Sequence, residues 1–344
     1  MQHEIIFNAQ QLQVALMWIL FSIFVGVALA IDLGVIGKIK GIILAKGQKQ
    51  KALSDAKKVR STNDALAWTI VWISLGLIFA GVIYFSMGYG KMLEYITGYT
   101  LEKTLSVDNM FVFLLIFTSL SIPHQYQQKV LSVGILSAIA MRIPLIIVGV
   151  SLLETFHWMI YVFGAFLIFT AIRMFVQKKE EKIEVEKNIA VRALKKIMPV
   201  DVELKTDKFL LRKNGILYAT PLLVAIVIVE MTDLVFALDS IPAVLAITSD
   251  QFIVITSNVF AIFGLRSLYF LLSGSMEKFY YLKPALTALL FFIGFKMLLS
   301  EFFEISIEMS LAIITSILGI AIGLSYVKTR TENQQRTPSR DRIG

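Results

Sequence analysis

Six carboxylic side chains interrupt stretches of this sequence that are otherwise apolar. A charge at the centre of a membrane helix costs roughly 2.5–3.5 kcal/mol, so six unpaired charges would cost about 15–20 kcal/mol, more than the net stability of a typical domain. These groups must therefore be paired, protonated, hydrated or bound to a cation. The six acids are Asp32, Glu102, Asp108, Glu230, Asp233 and Asp239.

Two of the acidic segments share one pattern. Each contains an acid, five intervening residues, a second acid and a small polar residue, and each continues into an apolar run. If the two segments cross a membrane in opposite directions, they form an inverted repeat, which many transporters use to build a site near the bilayer midplane. The matching positions are Glu102, Asp108 and Asn109 in the first half of the chain and Asp233, Asp239 and Ser240 in the second.

Helical geometry limits how the two acids of one motif act together. Positions six residues apart on a straight helix diverge by roughly 120°, so they do not face one cation. Pro242 lacks a backbone donor and frees the carbonyl of Leu238, which predicts a break in the helix at the second motif. By analogy, we expect a break at Asp108. Carbonyls freed by such breaks can serve as ligands where they line a cavity.

The candidate ligands all present oxygen atoms. Carboxylate, amide, hydroxyl and carbonyl oxygens suit Mg²⁺, Ca²⁺ and Mn²⁺, whereas zinc and copper favour histidine and cysteine. The chain has no cysteine, and its three histidines lack metal-ligand spacing. Protons and Na⁺ would use the same oxygen groups, so they remain open. The candidate metal-binding residues are Asp32, Glu102, Asp108, Asn109, Glu230, Asp233, Asp239 and Ser240.

An alternative is that basic residues neutralise the acids as structural ion pairs. Arg142 lies 34 residues after Asp108, and Arg266 lies 27 residues after Asp239, so both are natural partners related by the repeat. Lys296 and Lys103 also lie within or near apolar stretches. Four cations do not cancel six acids, so pairing of some acids need not remove a cation site.

The composition indicates the elements that position these residues. Hydrophobic types make up 57% of the 344 residues, charged types 17%, and the mean hydropathy is +0.74, values that exclude an ordinary soluble domain. We predict an all-α, polytopic transmembrane bundle of about nine helices, with an inverted repeat and broken helices. The predicted spans are 12–36, 66–87, 101–120, 130–153, 156–176, 216–240, 251–272, 284–303 and 308–327.

The charges between spans predict the orientation. Basic residues concentrate in 37–65, in 177–215 and in the tail, which places these segments in the cytoplasm, with the N-terminus outside and the C-terminus inside. The net charge of +8 therefore reflects topology, and we expect membrane lipid rather than nucleic acid as a partner. The predicted units are membrane halves 1–176 and 216–327, a basic cytoplasmic loop 177–215 and a polar tail 328–344.

Four segments resemble the TerC family of integral membrane proteins, which includes the bacterial Alx transporters. They are DLGV from Asp32, EKTLSVDNMFVF from Glu102, DLVFALDSIPAVLAIT from Asp233 and SNVFAIFGLRSLYFLL from Ser257. The resemblance implies a bacterial inner-membrane protein of the lysine-exporter superfamily, linked to manganese efflux and, by name, to tellurite resistance. Tellurite is an oxyanion and would not seek carboxylates, so we interpret that phenotype as indirect.

Together, the residues and the resemblance predict a secondary transporter that exports Mn²⁺, with Asp108 and Asp239 as central ligands and no resident cofactor. The sequence contains no Walker A motif, so uphill export would need coupling to H⁺ or Na⁺. A non-transporting membrane scaffold, in which the acids form structural ion pairs, is the competing hypothesis. We do not expect an enzyme, because no nucleophile and histidine constellation is evident.

Overall fold

The computed structural model describes residues 2–32, 62–176, 188–201, 207–273, 280–303 and 305–336. These residues form an all-α membrane architecture with one small β-hairpin, which confirms the predicted fold class. The predicted basic segment 37–61, the start of the loop at 177–187 and the end of the tail from 337 lie outside the described residues. The helices are α1 (Gln2–Asp32), α2 (Thr62–Met87), α3 (Tyr89–Ser119), α4 (His124–Thr155), α5 (Met159–Val176), α6 (Ile189–Ile197), α7 (Pro221–Leu245), α8 (Gln251–Ile262), α9 (Leu265–Leu272), α10 (Leu282–Leu298) and α11 (Ile307–Arg336).

Every predicted span overlaps a helix in the structure, but the count of nine is approximate. Six of the described helices are long and apolar enough to cross a membrane, and the bent pair α8 and α9 makes a seventh. The other two predicted spans correspond to α3, which carries the first acidic motif, and to α10, which has 17 residues. Large apolar side chains cover the outer faces of α1, α2, α5 and α11, as lipid contact requires.

The two halves of the bundle exchange packing partners. Helix α3 packs against α8, helix α4 packs against α7, and α5 packs along α10. This is the pattern that two similar three-helix units related by a twofold axis would produce. The crossing of α5 and α10 is reciprocal, because a Cβ on Gly164 would lie 3.0 Å from the carbonyl oxygen of Gly294, and a Cβ on Gly294 would lie 2.8 Å from that of Gly164. Glycine at both positions allows the two backbones to touch.

The predicted helix break at the second motif is wrong. Helix α7 continues through Pro242 to Leu245. Proline removes one backbone hydrogen bond, but Pro242 lies only three residues before the end of the helix, where little helix remains to be redirected. The predicted break at Asp108 is also wrong, since α3 is continuous from Tyr89 to Ser119.

The break instead separates α8 from α9. These helices are bent by 41° at Phe263 and Gly264. Gly264 has φ +81°, a left-handed conformation that favours glycine, and a Cβ there would lie 2.7 Å from the Cβ of Trp72. The ring of Trp72 also stacks on that of Phe263 at a centroid distance of 5.3 Å. Packing of α2 against the break therefore requires glycine at this position.

The described residues between α5 and α7 include a short helix and a hairpin. Asn188 caps α6 by accepting a hydrogen bond from the backbone N–H of Ala190 at 2.9 Å. An antiparallel hairpin follows, with strand β1 (Leu210–Lys213) paired to strand β2 (Ile216–Ala219). The sixth span therefore begins at Pro221, because 216–219 is a strand, which corrects the predicted start at residue 216.

Candidate functional site

The first acids of the two motifs meet at one buried arginine. The guanidinium of Arg142, on α4, binds Asp233 with two hydrogen bonds, from Nε to Oδ2 at 3.1 Å and from Nη2 to Oδ1 at 2.8 Å. Its Nη1 donates to Oε1 of Glu102. All three side chains are buried, so this is a desolvated triad with two negative charges and one positive charge.

Asn258 on α8 completes the polar surroundings of the triad. Its Oδ1 accepts a hydrogen bond from Nη1 of Arg142 at 3.3 Å. In the described part of the chain, Nδ2 of Asn258 and Oε2 of Glu102 are buried without a hydrogen-bond partner. Unsatisfied polar atoms in a membrane interior are costly, so the triad retains capacity to bind a proton, a water molecule or a cation.

The second acids of the two motifs line one pocket. This pocket has a volume of about 270 Å³ and lies between α3, α5, α7 and α10. Glu102, Asp108 and Asn109 contribute from α3, and Asp239 and Ser240 contribute from α7. The 120° offset within each motif turns the first acid toward Arg142 and the second acid toward the pocket. Glu102 lies at the boundary, because it binds Arg142 and also lines the pocket.

Polar and basic groups share the pocket with these acids. Thr170 Oγ1 donates to Oδ1 of Asp239 at 3.0 Å. Arg173 from the last turn of α5 and Lys283 from the first turn of α10 also line it. The pocket therefore brings three carboxylates, two basic groups and several neutral oxygens together.

A second arginine holds the acid of the first helix. Nη2 of Arg266, on α9, binds the backbone carbonyl of Asp32 and lies 3.2 Å from its Oδ1. Nη1 of Arg266 donates to Ser132 Oγ on α4 at 3.1 Å. These bonds connect α1 and α4 through the short helix that follows the break.

Two further predicted residues lie elsewhere. Glu230 on α7 accepts a hydrogen bond from Ser137 Oγ on α4. Lys296, predicted as an ion-pair partner, donates to Ser310 Oγ at 3.0 Å. The structure thus brings together Glu102, Asp108, Asn109, Asp239 and Ser240 around the pocket. Glu102 also shares Arg142 with Asp233, whereas Asp32 and Glu230 lie in two other hydrogen-bonded groups.

The described residues contain no group of three or more histidine, cysteine, aspartate or glutamate side chains close enough to hold a metal ion. Glu102, Asp108 and Asp239 therefore do not converge on one point, and a cation in the 270 Å³ pocket would have at most two carboxylates, with neutral oxygens or water completing its shell. Hard divalent cations commonly retain water in this way, as Mg²⁺ does when it is held by one or two carboxylates.

Sequence reasoning missed several members of the pocket. Thr170 and Lys283 stand in apolar helices without any motif around them, so only the packing of α5 and α10 against α7 reveals their role. Arg173 is conspicuous in the sequence as a basic residue at a span end, where snorkelling is the usual interpretation. Its position in the pocket depends on which face of α5 meets α7.

A model of the family described as "Integral membrane protein TerC family" matches residues 87–333. The chain is 43% identical over 314 residues to "Uncharacterized membrane protein STKORF319" of Myxococcus xanthus, covering 91% of this chain and 93% of that protein. It is 40% identical over 329 residues to "Putative membrane-bound redox modulator Alx" of Escherichia coli K12, covering 93% of this chain and 97% of that protein. No solved structure matches.

Proposed function

Since this chain belongs to the TerC family of integral membrane proteins, we propose that it is a secondary transporter that exports divalent cations, with Mn²⁺ as the leading substrate. The observation that carries this proposal is the pocket to which both membrane halves supply carboxylates and neutral oxygen side chains. Transporters built from inverted repeats place substrate sites at the interface of their repeats.

The charges of the pocket suit a divalent substrate. Glu102 also lines the pocket, but its charge is paired with Arg142, and the charges of Asp108 and Asp239 together match one divalent cation. Arg173 and Lys283 supply a matching positive charge in the absence of a substrate. If these two side chains move away as a cation enters, the pocket stays near neutrality in both states, which lowers the cost of keeping charge inside a membrane.

The orientation predicted from the basic residues supports access to the pocket from the cytoplasm. The distribution of basic residues places the end of α5 and the start of α10 at the cytoplasmic side. Arg173 and Lys283 lie at these helix ends, so the pocket would open inward in this conformation. Export from the bacterial cytoplasm would begin with binding at this face, in a multi-pass inner-membrane protein.

The name of the Alx relatives describes a redox modulator, and this chain constrains how such an effect would arise. It contains no cysteine, so it has no thiol for disulfide exchange. A redox effect would therefore be indirect, through the cellular content of a metal such as manganese. No resident cofactor is part of the proposal.

Cellular metal content tests the proposal. Manganese, iron, magnesium and calcium would be measured in a manganese-sensitive bacterial host expressing wild type, Asp108→Asn, Asp239→Asn or Glu154→Gln, with matched membrane levels. Glu154 is an exposed acid at the end of α4 and serves as the control. We expect wild type and Glu154→Gln to lower manganese at least several-fold more than either pocket variant.

The buried triad favours one competing function, a non-transporting scaffold whose acids hold the helices together. Arg142 and Arg266 bind three of the six intramembrane acids, as structural ion pairs would. A scaffold predicts unchanged metals in every strain and reduced stability or partner binding in the pocket variants. Inserted wild-type protein that leaves all four metals unchanged would contradict the transport proposal.

A further inference from the structure

The break between α8 and α9 creates a concentration of backbone carbonyl groups inside the bundle. The last carbonyls of any helix lack intrahelical partners, and aligned peptide dipoles give that end a partial negative charge. Helix α8 ends at Ile262, and the turn at Phe263 and Gly264 redirects the chain by 41°. In membrane transporters, carbonyls at such helix ends commonly coordinate Na⁺.

A lysine side chain from the first acidic motif lies at these carbonyls. Nζ of Lys103, on α3, donates to the carbonyl oxygen of Ala261 at 3.0 Å and to that of Phe263 at 2.9 Å. Ala261 and Phe263 precede and follow Ile262, the last residue of α8, so the ammonium group joins the end of α8 to the turn. A positive charge therefore stands where a broken helix would otherwise attract a cation.

We propose that Lys103 is a tethered substitute for a monovalent cation, and that the carbonyls of Ala261 and Phe263 form part of a latent Na⁺ site. The ammonium group satisfies the carbonyls and the helix dipole at the same time, which a neutral side chain would not do. With the position filled by the chain itself, Na⁺ has no role at this break in wild-type protein.

The surroundings of Lys103 provide space for a small ion when the side chain is shortened. A pocket of about 170 Å³ lies beside it, between α3, α10 and α11. Its lining includes Thr104 and Ser325, whose hydroxyl groups stand among apolar side chains. Replacement of lysine by alanine would join this space to the carbonyls and admit an ion with part of its water shell.

The consequence for coupling rests on the proposed transport function. If export is secondary, filling of this position by Lys103 means that a coupling Na⁺ does not bind at the break. The binding of Na⁺ to a Lys103 variant does not depend on transport. A failure of this inference is therefore distinguishable from a failure of the transport proposal.

Thermal unfolding of the full chain in detergent tests the inference. Wild type, Lys103→Ala and the charge-preserving Lys103→Arg would be compared in NaCl, KCl and choline chloride at equal ionic strength. We expect Lys103→Ala to have a lower Tm than wild type in choline. Na⁺ should raise that Tm progressively with its concentration, by about 4 °C at 100 times its Kd. Wild type and Lys103→Arg should respond equally to the three salts.

Two results would overturn the inference. One is Lys103→Ala protein whose Tm is the same in Na⁺ and in choline, and the other is an equal Na⁺ response in Lys103→Arg, which would indicate a general salt effect. If Lys103→Ala protein cannot be recovered in any salt, Lys103→Ser decides, because its short side chain also leaves the carbonyls of Ala261 and Phe263 without the ammonium group. The absence of a Na⁺ response in Lys103→Ser would then refute the tethered-cation role.

Discussion

Substitution of Arg142 by glutamine should destabilise the protein strongly. The side chains of Arg142 and Glu102 are 2% and 1% exposed, and that of Asp233 is 6% exposed. Glutamine would leave two carboxylates in the bundle without their counter-charge. Removal of one partner from a buried ion pair costs about 3–5 kcal/mol, which for a chain of 344 residues corresponds to a Tm decrease of about 4–7 °C.

The triad also predicts an asymmetry between its members. Glu102→Gln leaves Arg142 with both of its hydrogen bonds to Asp233, so the remaining pair is neutral and the loss should be only about 1 kcal/mol. The double variant Arg142→Gln with Glu102→Gln should recover part of the Tm lost in Arg142→Gln, because it removes one of the two stranded charges.

Thermal unfolding in one detergent, followed by circular dichroism or by an intrinsic-fluorescence signal, measures these differences. Arg192→Gln is a matched control, since Arg192 is an exposed basic residue on α6. The reasoning would be refuted if Arg142→Gln unfolded within about 2 °C of the control. It would also be refuted if Glu102→Gln proved as harmful as Arg142→Gln.

Two other positions give predictions with internal controls. Gly294→Ala should destabilise the protein by about 1–3 kcal/mol, because its Cβ would lie 2.8 Å from the carbonyl oxygen of Gly164. Gly319→Ala should be nearly neutral, since no described atom lies within 4 Å of its Cβ. Equal Tm values for the two variants would contradict the close crossing of α5 and α10. Arg266→Gln should lower the Tm by several degrees, because it leaves the buried carboxylate of Asp32 without its charged partner. Adding Asp32→Asn to that variant should restore part of the Tm, as measured by thermal unfolding of the single and double variants. No restoration would mean that the ion pair contributes little to stability.

The sequence was sufficient to predict the class of the fold, and the acids within the apolar runs were visible in it as candidate site residues. Apolar runs of membrane length identify helices because a spanning segment must satisfy its own backbone groups. Carboxylates within those runs are equally visible, since each is costly there. The resemblance to the TerC family, predicted from four segments, is confirmed by the family match over residues 87–333.

The partners of those residues depended on tertiary packing. Whether Arg142 binds Glu102, Asp233 or both is determined by how α3, α4 and α7 cross, and spacing along the chain does not specify it. The break at Gly264 was missed for a related reason. A glycine in an apolar run is common in membrane helices, and its need here comes from the approach of Trp72. The sequence analysis instead predicted the break at Pro242, because the loss of a backbone donor at proline is visible in the sequence without knowledge of the packing.

The exchange of packing partners between the halves has a consequence for synthesis. Glu102 and Arg142 belong to the half that leaves the ribosome first, and Asp233 arrives about ninety residues after Arg142. Glu102 and Arg142 can therefore enter the bilayer as a neutral ion pair. Asp233 gains its counter-charge from Arg142 only when α7 docks on α4. Docking of the second half is thus coupled to burial of its own charge, so Asp233 gains its counter-charge only late in assembly.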